Sequence, residues 1–211
     1  MVTDLLLIRH GQAVSNVEPV IAGLHGDRGL TDLGRRQAAL LEQRLRTESP
    51  HVDALYVSTL PRALETGAYV ARGLGLTAVE TDDLHELRPG DAADDLGIEE
   101  WRSRSEVEVP PRDPFRPFSP DGESWAAFLA RAGAALEDLV ARHPSQTVVA
   151  VCHQGVVEAS FALAYGHDGA ARRVGIDPPN TSLTHWRHRR DAGGGPLWAL
   201  VAFGDARHLD G

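Results

Sequence analysis

Apolar residues dominate three short stretches, Leu5–Ile8, Asp53–Val57 and Thr147–Val151, each too short for a helix and bounded by polar residues. Such runs mark strands buried on both faces. Between them the apolar spacing changes to the three-and-four pattern of an amphipathic helix. Gly34, Ala38, Leu41 and Leu45 repeat at that spacing behind Thr31, a good helix cap, and predict a helix to about Thr47. Pro61 opens a second helix, to about Leu74, since a first turn tolerates proline. A third, from about Glu123 to Arg142, carries the stripe Trp125, Phe128, Ala132, Ala135 and Leu139, and a fourth runs from Val156 to Tyr165. Thr77–Glu80 reads as a short strand, and Ser182–Trp186 with Leu197–Phe203 as a hairpin turning through Asp191–Pro196. Strands alternating with helices predict an α/β fold: one three-layer α/β/α domain over residues 1–211, its sheet mostly parallel with an antiparallel edge.

The pattern fails from Asp82 to Asp121. Pro110, Pro111, Pro114, Pro117 and Pro120, with many charges, predict an irregular excursion containing one helical turn near Trp101. A loop of that length in a compact domain usually serves as a lid or substrate wall; the alternative is a surface insertion without a role.

Composition narrows the chemistry. All 21 basic residues are arginine, which excludes a Schiff-base lysine and a P-loop lysine. Phosphate recognition here must use arginine forks, histidines and backbone amides. Cys152 is the single cysteine, so neither an internal disulfide nor a multi-cysteine zinc site can form. Adjacent strand residues face opposite ways, so Cys152 does not pair with His153 and reads as a buried, inert thiol. His25, His51, His85, His143, His167 and His208 show no metal-ligand spacing. The net charge of −9 repels polyanions. The basic cluster Arg187–Arg190 reads as a solvated hairpin end, so no nucleic-acid partner is expected. No apolar run reaches the ~20 residues of a membrane span, and a cytoplasmic protein is expected.

In open α/β sheets, ligands sit beyond the carboxyl ends of the strands. Arg9, His10 and Gly11 follow the first buried run. Ser58, Thr59, Leu60, Pro61 and Arg62 follow the second, and His153, Gln154 and Gly155 the third. Two histidines and two arginines therefore converge on one crevice.

The residues on which they sit resemble the histidine phosphatase superfamily, in its phosphoglycerate-mutase-like branch. The likeness covers Leu7–Asn16 (LIRHGQAVSN), Gly29–Gly34 with Gln37 and Ala38, Ser58–Ala63 with Thr66, Cys152–Val156, and Asn180–Ser182. It implies that His10 is a nucleophile forming a phosphohistidine, with its other ring nitrogen donating to a backbone carbonyl. Arg9, Arg62 and a protonated His153 then clamp the equatorial phosphoryl oxygens, Asn16 donates to the same group, and Gln154 contributes its backbone amide. Gly11 would let the backbone approach the phosphate closely. The resemblance assigns proton transfer to Glu86, although Asp91, Ala92 and Ala93 stand where the family carries an aromatic and a Glu-Gly pair. Asp82 and Asp83 are the rivals. It implies no metal and no cofactor.

The expected activity is hydrolysis of a small phosphorylated metabolite, by a chain that acts alone or as a homodimer. Three alternatives stand beside it: a cofactor-dependent phosphoglycerate mutase, a phosphoprotein phosphatase, and an inactive binding module. The missing lysine and Val20–Gly23 in place of the mutases' Phe-Thr-Gly-Trp argue against the first. Intact Arg9, His10, Arg62 and His153 argue against the last.

Overall fold

A computed structural model describes residues 2–104, 113–166 and 175–210. Pro110, Pro111 and His167 lie outside them. The chain builds one six-stranded sheet in the order β3-β2-β4-β1-β5-β6. Its strands are β1 (Val2–Arg9), β2 (Ala54–Ser58), β3 (Ala78–Thr81), β4 (Thr147–Cys152), β5 (Leu183–Arg190) and β6 (Pro196–Asp205). β1 pairs in parallel with β4, as β2 does with β3 and β4, while β5 and β6 run antiparallel. The expected mixed sheet is therefore observed, with β1 and β5 extending past the apolar runs that announced them.

Alternation along the strands divides the core in two. Leu5 and Leu7 of β1, with Val148, Ala150 and Cys152 of β4, pack under α4 (Trp125–Arg142) and α5 (Gln154–Tyr165). Ile8, with Val149 and Val151, packs under α1 (Asp32–Glu48) and α2 (Pro61–Leu74). The α1 stripe is as expected, and the Thr31 hydroxyl caps that helix by accepting from the Gly34 amide at 3.0 Å. On α4 the buried row takes in Gly133, Leu136 and Val140, while Ala135 is only half-buried. One face of that helix is thus wider than the sequence stripe.

The excursion is more ordered than expected where it is described. It contains α3 (Ile98–Arg104), and Trp101 is buried and stacks on Phe118 with ring centres 4.3 Å apart. Asp94 accepts from the amides of Gly23, His25 and Gly26, tying the excursion to the loop before α1. Among the described residues no helix is long and apolar enough to cross a membrane.

Candidate active site

β1 and β4 lie side by side and in register, so His10 and His153, each one residue past its strand, are brought together. The His10 amide donates to the Cys152 carbonyl at 2.9 Å, and the two rings lie 5.1 Å apart. β2, on the other side of β4, delivers Ser58, whose hydroxyl bonds His153 Nε2 at 2.8 Å. Both histidines are buried. His10 Nδ1 lies 2.7 Å from the Gly11 carbonyl, which can only accept. The proton therefore sits on Nδ1, and Nε2 keeps its lone pair. Burial first, then Arg62 and Arg9, holds His10 well below the usual imidazole range, so it is neutral at pH 7.

Burial, Arg62 and His10 also hold His153 well below that range. The expected imidazolium is thus not a property of the protein alone. Its Nδ1 is buried without a partner, a donor or acceptor left for something else.

Arg62 rises from the first turn of α2 and gives its Nη1 to Asp27 at 2.7 Å, both side chains being almost wholly buried. Asp27 also accepts from the Gly29 amide. Asp27 escaped the sequence reading, since a lone acid in a polar loop carries no periodicity or motif. Arg9 gives Nη1 to the Pro178 carbonyl and, at 3.1 Å, to the exposed carboxylate of Asp177. Its Nε is buried and unpartnered. The Asn16 Oδ1 accepts from the Ala13 amide at 2.9 Å, which leaves its Nδ2 hydrogens for a ligand. The Gln154 side chain donates to the Ile176 carbonyl at 3.0 Å and so holds the loop bearing Asp177.

Gly11 also serves packing. A Cβ there would lie 2.7 Å from the Gly34 carbonyl oxygen, so α1 can sit against the His10 loop only if that position is bare. The Gly11 amide donates to the Thr66 hydroxyl at 3.0 Å. Asn180 Nδ2 donates to the His10 carbonyl at 3.0 Å.

Glu86 reaches the same crevice from the excursion, its Oε2 accepting from the Gly155 amide at the start of α5 at 2.9 Å. Asp82 and Asp83 are exposed, and the Asp82 carboxylate is taken by the Thr59 hydroxyl. Cys152 faces the α4/α5 core, and burial, with Glu86 nearby, pushes its thiol above the usual range. No group of three or more histidine, cysteine, aspartate or glutamate side chains suited to a metal ion occurs among the described residues.

Residues 5–200 match the model of the histidine phosphatase superfamily (branch 1). "Phosphoserine phosphatase 1" of Hydrogenobacter thermophilus is 31% identical over 193 residues, covering 89% of this chain and 88% of that one. "Phosphoglycerate mutase-like protein 4" of Arabidopsis thaliana is 29% identical over 217 residues, covering 98% and 87%. The solved structure of Bacillus stearothermophilus YhfR has a TM-score of 0.82 at 28% identity, covering 98% of this chain and 99% of that one.

Proposed function

The chain belongs to branch 1 of the histidine phosphatase superfamily and is an enzyme of the phosphatase type; from that premise we propose that it hydrolyses a small phosphomonoester through phospho-His10. The supporting observation is the neutral His10 ring with Nδ1 bonded to the Gly11 carbonyl, which leaves Nε2 as an unprotonated nucleophile. Nε2 forms the N–P bond as the ester P–O bond breaks, and the leaving alkoxide takes a proton from Glu86. The resulting carboxylate then takes a proton from water, whose oxygen attacks phosphorus. The N–P bond breaks, its electron pair returns to Nε2, and inorganic phosphate departs.

Charge on the transferring group spreads over three equatorial oxygens. In this reading the free donors of Arg9, Arg62 and Asn16 meet those oxygens, with the Gln154 amide at the start of α5. His153 completes the clamp through Nδ1. The incoming phosphoryl charge favours its protonation, because an anion within a few ångströms raises an imidazole's pKa. His153 thus adds its positive charge to that of the two arginines only when there is negative charge to meet.

The substrate is a small metabolite, and phosphoserine is the first candidate because a relative of 31% identity bears that activity in its name. The chain's own charge of −9 supports a small ester over a polyanion. Brief mixing with 32P-labelled phosphoserine should leave acid-labile, base-stable label on the peptide containing His10. Label on His153, or none at all during turnover, overturns the reading. Turnover of 3-phosphoglycerate into its isomer without net phosphate release would favour the mutase alternative.

A further inference from the structure

Much of the hold on the segment bearing Glu86 comes from Arg131 of α4, whose five N–H donors each have an acceptor. Nε donates to Glu123 Oε1 at 2.7 Å, and Nη2 to Glu123 Oε2 at 2.7 Å. The remaining hydrogens reach carbonyls of the Glu86 segment: Nη1 those of Asp83 at 2.9 Å and His85 at 3.2 Å, Nη2 that of Glu86 at 3.2 Å. Glu123 extends the grip, since its Oε2 accepts from the Arg88 amide at 2.9 Å and its own amide donates to the Arg88 carbonyl at 2.9 Å. The segment is thus tied at residues 83, 85, 86 and 88. The Arg131 and Glu123 side chains are only 13% and 16% exposed, so the pair is little screened by water. The guanidinium also lies over the Phe128 ring, 5.3 Å from its centre.

From this geometry we infer that Arg131 is the positioning residue for Glu86, fixing the carboxyl at the Gly155 amide within reach of the reacting oxygen. The inference rests on the reading of Glu86 as proton donor. A guanidinium is required because only a planar fork with five donors can meet a carboxylate and three carbonyls at once. A lysine offers three donors from a single point and must release part of the segment. Arg131 itself touches no substrate. Its effect travels through placement, where a shift of about 1 Å can cost 10²-fold.

The test is single-turnover phosphorylation of Arg131→Lys with an alkyl phosphate and with nitrophenyl phosphate, in parallel with Glu86→Gln and the double variant. Arg131→Lys should slow the alkyl ester roughly 10-fold or more and the nitrophenyl ester less than about 2-fold, since only the poor leaving group needs the proton. In the Glu86→Gln background the lysine should add nothing further for the alkyl ester. Glu123→Gln, which keeps the cation but weakens its carboxylate anchor, should show the same selective loss in smaller degree, which keeps the test open should Arg131→Lys fold poorly. Equal losses on both esters in both position variants, or an alkyl loss that persists in full beside Glu86→Gln, overturns the positioning role. If instead Glu86→Gln itself slows both esters equally, the assignment of Glu86 falls and this inference with it. Phospho-His10 is judged apart, by the labelled peptide.

Discussion

His10 and His153 each stand one residue beyond a central strand, on backbone that the sheet holds, whereas Glu86 stands five residues beyond β3 on a loop gripped by side chains. The first pair is fixed by register: Arg9 lies opposite Cys152, so the residues after them must meet. The second position owes nothing to the ladder and depends on Arg131, Glu123 and the Gly155 amide. A site can thus join a half that hydrogen-bonded backbone makes rigid to a half that long side chains hold. The halves should then differ in how they fail.

The largest effect expected from breaking this contrast is His10→Ala. It should remove labelling and lower turnover by on the order of 10⁶-fold, as loss of a nucleophile does elsewhere. Substantial turnover would move the nucleophile to another residue. Next comes Glu86→Gln, which should cost 10²–10⁴-fold on alkyl esters, yet leave labelling by nitrophenyl phosphate close to normal. A comparable loss of labelling from both esters would erase the distinction between the halves.

A smaller effect on activity but a large one on folding is expected at Asp27→Ala. It strands the buried Arg62 without its carboxylate, and removing one partner of a buried pair costs about 3–5 kcal/mol. Denaturant unfolding measures this, and a midpoint like that of the unaltered chain would show that Arg62 finds another partner.

The last effect is a pH dependence of stability. Burial lowers the folded pKa of His10, His153 and His85, and that of His208 to about 4, so the unfolded chain binds more protons below an ordinary histidine pKa near 6.5. Stability from this source is complete above that value. It is lost as pH falls toward the folded values, because unfolding then takes up protons. The midpoint temperature should decline between pH 7 and 5, before the lowered carboxylates contribute. A flat profile there would mean that these rings are as free to protonate in the folded chain as in the unfolded one.

What could be read along the chain was whatever local rules encode. Three apolar runs and helical stripes with their caps implied the strands and helices, and placement after strand ends implied Arg9, His10, Arg62 and His153. Each follows from contacts between residues near in sequence, or from the requirement that a parallel strand be apolar on both faces. Asp27 with Arg62, Gly34 against Gly11, and Glu123 and Arg131 under Glu86 left no comparable trace. They pair residues 23 to 45 positions apart across loops with no period, and their partners are backbone carbonyls as often as side chains. The tertiary structure decided those contacts, because a carbonyl carries no side-chain identity and its direction is known only once the chain has turned.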